Sequence, residues 1–223
     1  ARARLAAAMT DTGPSLLDEP VAFWENRHAG LDPWRSGGDM GLSVEENFEF
    51  YAIRFGRLAG LIRAHAGAER PLRVLDAGCG RGHITDMLRR CGHRVTGLDA
   101  SATAVAKARE AYGGDFVVGE LDTLRPDRLF DVVVCLDVLF HILDDATWRR
   151  SIAAFGRYAC AESVVIVTDA FADERYAKGD YIVHRSAAEN DEAFAAVGFS
   201  RAELVPYRFG HNPNAIAVYC RRI

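Results

Sequence analysis

Two periods alternate along this chain. From residue 15 to 66 the apolar positions recur at helical spacing, and past residue 70 they gather into short runs set between helical stretches. Ser43-Val44-Glu45-Glu46 has the spacing of a capping box, in which serine and glutamate satisfy the free backbone donors of a first helical turn. Phe48, Tyr51, Ile53, Phe55, Leu58 and Leu61 continue from it as a helical stripe. The stretch from Gly30 to Gly41, with Pro33, Gly37 and Gly38, reads as a loop.

The later runs predict strands at 72–76, 94–98, 116–118, 131–136, 163–168, 202–205 and 215–220. Between them, 84–90, 101–111, 147–158 and 189–197 predict helices, with Ser101 as an N-cap and Gly198 as a stop. Strands alternating with helices imply βαβ units and a mostly parallel sheet. The near-continuous runs 131–136 and 163–168 fit strands covered on both faces. The expected fold is therefore α/β, a doubly wound, mostly parallel seven-stranded sheet with a helical N-terminal cap. No linker or internal repeat divides the chain, so residues 1–66 are expected as a cap within the same domain and 67–223 as its core.

Composition narrows the function. The 223 residues are 49% hydrophobic and carry a net charge of −4, with no basic stripe, which argues against a nucleic-acid partner. Cys79, Cys91, Cys135, Cys160 and Cys220 are scattered and form no C-x-x-C pair, so neither a disulfide framework nor a zinc site is expected. No apolar run is long enough for a membrane helix. The basic, Ala-rich start lacks the apolar core of a signal peptide and reads as a frayed tail, with Met9 a candidate natural start. The expected location is cytoplasmic, and a homodimer stays open.

The chemistry gathers at Val74-Leu75-Asp76-Ala77-Gly78-Cys79-Gly80-Arg81-Gly82. A buried strand runs into a glycine bend that opens a helix, where backbone N–H groups face any ligand. Asp99, 23 residues after Asp76, ends the next strand, where doubly wound folds place an acid on ribose hydroxyls. A dinucleotide fingerprint would read G-x-G-x-x-G. Here it is G-x-G-x-G, and His83 stands at the third-glycine position. Asp76 just before the bend would repel a diphosphate and attract an amine or sulfonium.

These segments resemble the class I S-adenosylmethionine-dependent methyltransferases of small-molecule type. VLDAGCGRG matches the family's first motif and GLDAS its second, GELDTL stands at its third, and FDVVVCLDVLFHI matches its fourth. The resemblance covers about residues 70 to 170. It implies a Rossmann-like methyltransferase fold with S-adenosyl-L-methionine as cofactor. Asp76, with the bend Ala77, Gly78, Cys79 and Gly80, would hold the methionine end. Asp99 would take the ribose and Ala100 the adenine. Glu120 stands where the family often has an Asp toward the adenine amine, with Leu121 beside it, and Leu136 and Asp137 end the fourth strand next to the methionine moiety. Cys79 suits the bend by its size and is not expected as a nucleophile.

Methyl transfer to a hydroxyl or ammonium also needs a proton acceptor. His141 and Asp137 are the catalytic candidates. Two readings stand for each: His141 as base or as packing beneath the cofactor, and Asp137 as ligand or as N-cap of a helix starting at 138. His28, His184, His211 and Tyr181 are further candidates. Trp24 and Tyr51 from the N-terminal region, with Tyr181 and His184 from the excursion 171–186, are expected in the acceptor pocket. No metal is expected, because Asp137, Asp144, Asp145 and Asp169 have no compelling ligand spacing. The DNA-directed motifs N/D-P-P-Y/F and Pro-Cys are absent from the sequence. The expected acceptor is thus a small organic molecule, O-methylated in secondary metabolism. The rival readings are an NAD-dependent oxidoreductase and a non-catalytic module of the same fold.

Overall fold

A computed structural model describes residues 14–67 and 69–221. The expected N-terminal tail, up to residue 13, lies outside them. Seven strands form one sheet: β1 (Arg73–Ala77), β2 (Arg94–Asp99), β3 (Asp115–Val118), β4 (Phe130–Cys135), β5 (Ala159–Asp169), β8 (Phe199–Pro206) and β9 (Ala215–Arg221). Their order is β3-β2-β1-β4-β5-β9-β8. The first five run parallel, and β9 and β8 pair antiparallel at one side.

The helices are α1 (Pro20–Gly30), α2 (Pro33–Ser36), α3 (Val44–Ala66), α4 (His83–Arg90), α5 (Ala102–Tyr112), α6 (Asp145–Tyr158) and α7 (Ala187–Ala195). Alternation along β4 builds both layers of the core. Val132 and Val134 pack with Phe50, Leu58, Ile62 and Leu88 of α3 and α4. Val133 and Cys135 pack with Trp148, Ile152, Phe155 and Phe194 of α6 and α7. Burial on both faces is why these runs are continuously apolar.

Local chemistry sets the ends of elements. The Ser43 hydroxyl accepts from the Glu46 N–H, and the Glu46 carboxylate accepts from the Ser43 N–H at 2.7 Å, so the capping box forms. Ser101 caps α5 as expected. Pro33 starts the four-residue α2 inside the expected loop, with Asp32 as its cap, because proline presets the helical φ at a first turn. The excursion after β5 holds a small hairpin, β6 (Tyr176–Ala177) with β7 (Val183–His184). Two-residue strands leave no periodic signature in a sequence. Asp137 does not cap a helix at 138. A single 3-10 turn spans Leu139–His141 instead, with no side-chain cap, because Asp137 takes a left-handed φ of 55° and turns its carboxylate elsewhere. No described helix is long and apolar enough to cross a membrane, and no metal-binding cluster occurs among the described residues.

Ser43→Ala removes one half of the α3 capping box. It should lower the unfolding free energy by about 1 kcal/mol in a urea titration and leave the slope of that titration unchanged.

Candidate functional site

The carboxyl end of β1 turns into α4 through the glycine bend. Gly78 and Cys79 both donate to the Leu98 carbonyl, at 2.7 and 3.0 Å. Gly78 has φ 83°, and a Cβ there would meet Val138 at 2.4 Å, so only glycine fits. Gly82 is closed in likewise by Phe116. The bend is thereby pinned between β2 and the loop after β4.

Two carboxylates bracket it. Asp76 is 3% exposed, and the Thr85 hydroxyl donates to it at 2.6 Å. Burial pushes its pKa up to about 6 against that hydrogen bond, and Asp99 nearby adds to the rise. Since the folded value exceeds the ordinary one, the charge opposes folding. The loss begins above pH 4 and is complete above pH 6, at about 3 kcal/mol. Asp99 accepts from the Gly80 N–H at 2.7 Å and the Ser101 N–H at 2.9 Å, and burial raises its pKa too. Each of its oxygens keeps a further lone pair for a hydroxyl donor. Burial also drives the Cys79 thiol up, which leaves it inert.

These groups open into a cavity of about 540 Å³. Its wall includes Asp76, Gly78, Cys79, Gly80, Asp99, Ala100, Glu120, Leu121, Leu136, Asp137 and His141, together with Trp24 and Tyr51. Pro20, Val21, Trp24 and His28 of α1 cover one side at helical spacing. At the other end lie Leu143, Asp144, Thr147 and Ser151, at the start of α6.

The cavity wall also carries a cation. Arg54 of α3 is 2% exposed and forms an ion pair with Asp137. Burial works against its charge, but Asp137, Tyr51 and Tyr207 together outweigh burial and raise its pKa. Its guanidinium lies 4.0 Å from the Tyr51 ring centre and 4.5 Å from that of Phe50. Its Nε and Nη2 are buried without a hydrogen-bond partner among the described residues. Asp137 also accepts from the Thr168 and Tyr207 hydroxyls, and its own N–H donates to Thr168.

His141 sits on the turn after β4. Its Nδ1 lies 2.8 Å from the Tyr181 carbonyl, which can only accept, so Nδ1 carries the proton and Nε2 is bare. Burial lowers its pKa to about 4, with the Tyr181 hydrogen bond opposing, so the ring is neutral at pH 7. Trp24 meets it edge-on at 5.1 Å. The start of α4 differs from a phosphate site: the His83 ring stacks on Trp34 at 4.2 Å and bonds Tyr112 and the Pro33 carbonyl.

Residues 74–159 match a family described as methyltransferase domain. The ubiquinone biosynthesis O-methyltransferase of Methylocella silvestris is 31% identical over 170 residues, which are 68% of this chain and 64% of that protein. The malonyl-[acyl-carrier protein] O-methyltransferase of Pectobacterium atrosepticum is 45% identical over 69 residues, 30% of this chain and 26% of the other. The chain thus spans less than two thirds of the curated relatives it matches. Among solved structures, magnesium protoporphyrin IX methyltransferase from Synechocystis with bound SAH superimposes with a TM-score of 0.71 at 21% identity, covering 92% of this chain and all of that one. An N-methyltransferase from Bradyrhizobium japonicum in complex with S-adenosyl-L-homocysteine gives 0.69 at 18%, with 92% and 100% covered. At such identities these two likenesses establish the class I methyltransferase fold.

Residues 74–159 bring together all the expected cofactor residues but one: Ala77 is fully buried beneath the bend and does not line the cavity. Glu120 is exposed at the rim. Tyr181 and His184 stand behind His141 rather than in the wall. Tyr181 stacks on it at 6.0 Å, and His184 is buried against Asp169. Arg54 was missed. Its signal was present, as a lone cation on the buried stripe that runs through Tyr51, Leu58 and Leu61.

Breaking the Arg54–Asp137 pair from one side strands a buried charge. Asp137→Ala should cost about 3–5 kcal/mol of stability by urea denaturation, whereas the double change Arg54→Met with Asp137→Ala should cost less than Asp137→Ala alone.

Proposed function

We propose that this chain is an S-adenosylmethionine-dependent methyltransferase that transfers a methyl group to a hydroxyl of a small organic acceptor, in secondary metabolism. The observation that carries the reading is the buried Asp76 and the half-buried Asp99, which bracket a glycine bend inside one cavity. A dinucleotide's diphosphate would meet Asp76 as a like charge and His83 as an obstruction, which speaks against the oxidoreductase reading. A base with a bare nitrogen on the cavity wall speaks against a module that only binds.

The residues fit the cofactor. The Asp76 carboxylate suits its ammonium, and the unpartnered Nε and Nη2 of Arg54 suit its carboxylate. Asp99 suits the ribose hydroxyls, while Ala100, Leu121 and the rim Glu120 suit the adenine. When bound, S-adenosylmethionine supplies an electrophilic methyl on a sulfonium, and the protein's part is orientation and proton removal. His141 Nε2 takes the acceptor's hydroxyl proton, and the ring's low basicity keeps it free to do so at neutral pH. Trp24 and Val21 exclude water on the α1 side. We take residues 1–66 as a cap within the same domain, since α1 covers the cavity while α3 packs on the sheet. A small acceptor suits a cavity of about 540 Å³, and the relatives' names favour oxygen as the methylated atom. A cytoplasmic location and a homodimer go with this reading as finer expectations, the latter checked by sedimentation.

Calorimetry with S-adenosylhomocysteine and with NADH tests the cofactor, and labelled S-adenosylmethionine offered with a panel of phenols and hydroxybenzoates tests transfer. Binding of NADH but not S-adenosylhomocysteine would overturn the proposal. Asp99→Ala should weaken S-adenosylhomocysteine binding at least about tenfold, since it removes charge-assisted hydrogen bonds. His141→Gln should lower kcat by about 100-fold or more with little change in that affinity. Affinity should also rise with pH between about 5 and 7, by up to about tenfold per unit, as the Asp76 carboxyl ionises to meet the ammonium, and level off above.

A further inference from the structure

The excursion between β5 and α7 carries the carbonyl that orients His141, yet little in its backbone holds it in place. Its hairpin has two paired positions, Tyr176 with His184 and Ala177 with Val183, and one further hydrogen bond from Lys178 to Ile182. So short a ladder is not stable alone. Two consecutive buried side chains at its end supply the anchorage.

His184 is 3% exposed, and its Nδ1 lies 2.6 Å from Asp169 Oδ1. Asp169 ends β5, is 1% exposed, and also accepts from the Ala170 N–H at 2.7 Å. The His184 ring packs between Tyr176 and Phe140, the neighbour of His141. Arg185 is fully buried over the Trp148 ring. It donates to Asp145 at 2.7 Å and to the Ile142 carbonyl at 2.9 Å, just past His141. One residue thus ties the hairpin to the sheet, and the next ties it to the turn that bears His141. Tyr181, between the two hairpin strands, closes the circuit by accepting from His141 Nδ1.

We propose that His184, held by Asp169, and Arg185 are positioning residues that fix the Tyr181 carbonyl against His141, so that His141 always presents a bare Nε2 to the cavity. Neither side chain touches the cavity; both act through the hairpin. Burying a hydrogen-bonded carboxylate and a guanidinium is a poor way to gain stability, whereas such groups can select one arrangement over its neighbours. The inference rests on His141 as the base. Its test reads the ring directly, needs neither cofactor nor acceptor, and so can fail while methyl transfer stands.

Ring-¹⁵N spectra of the full chain at pH 7, with His141 assigned by its loss in His141→Gln, should show Nδ1 protonated and Nε2 bare. In His184→Phe, which keeps the packing and removes the donor, the two His141 nitrogens should average toward one another. In His184→Asn, whose amide can donate to Asp169, the native pattern should return. A native pattern in His184→Phe would overturn the proposal. If that variant does not fold, the unaltered protein still decides. The His141 Nδ1 proton should exchange with solvent no faster than the Lys178 amide of the hairpin, and exchange at the rate of an exposed imidazole would also overturn it.

Discussion

A guanidinium and a carboxylate, Arg54 and Asp137, meet inside the protein at the carboxyl ends of the strands, and the site is arranged around them. Asp137 leaves β4 with φ 55°, a backbone state that costs a non-glycine residue energy. The ion pair and the hydrogen bonds from Thr168 and Tyr207 hold it there. That turn aims β4 away from a regular helix and into the 3-10 turn that carries His141. The same pair draws α3 across the sheet, so a helix far earlier in the chain contributes the cavity's cation. Its Nε and Nη2 have no hydrogen-bond partner among the described residues, and buried donors of that kind favour a ligand that can accept from them.

Asp76 adds a second cost of the same sort. Burial favours the neutral acid up to about pH 6, and a cationic ligand would favour the charged form. Site and ligand are coupled through one proton, because burial opposes the carboxylate and an ammonium offsets that opposition. Asp99 differs. Two backbone N–H groups hold it, so its orientation is set by the bend itself.

The cover over this site is held by helix ends. Arg81 and Lys107 donate to the His28 carbonyl at 2.7 and 2.8 Å, placing positive charge at the carboxyl end of α1. Glu25 of α1 accepts from the Ala102 and Thr103 N–H groups, placing negative charge at the start of α5. Each contact suits the dipole of the helix it touches. Glu25 and Lys107 lie on opposite helices, so α1 and α5 brace one another, and Trp24 and His28 are thereby pressed onto the cavity.

What the sequence by itself determined is everything local. Continuous apolar runs specified strands buried on both faces, the serine caps specified where helices begin, and the glycine bend with its two acids marked where the cavity opens. Periodicity and capping act over a few residues, so they are legible in order along the chain. Tertiary structure alone decided what crosses it. Arg54 finds Asp137 across 83 positions, Tyr181 reaches His141 across 40, and Tyr181 and His184 stand behind the wall rather than in it. Asp137 became an ion-pair partner instead of a helix cap because a buried guanidinium holds a carboxylate more strongly than the first turn of a helix does. Which side chains meet in the interior depends on packing of the whole, and no window of the sequence contains that information.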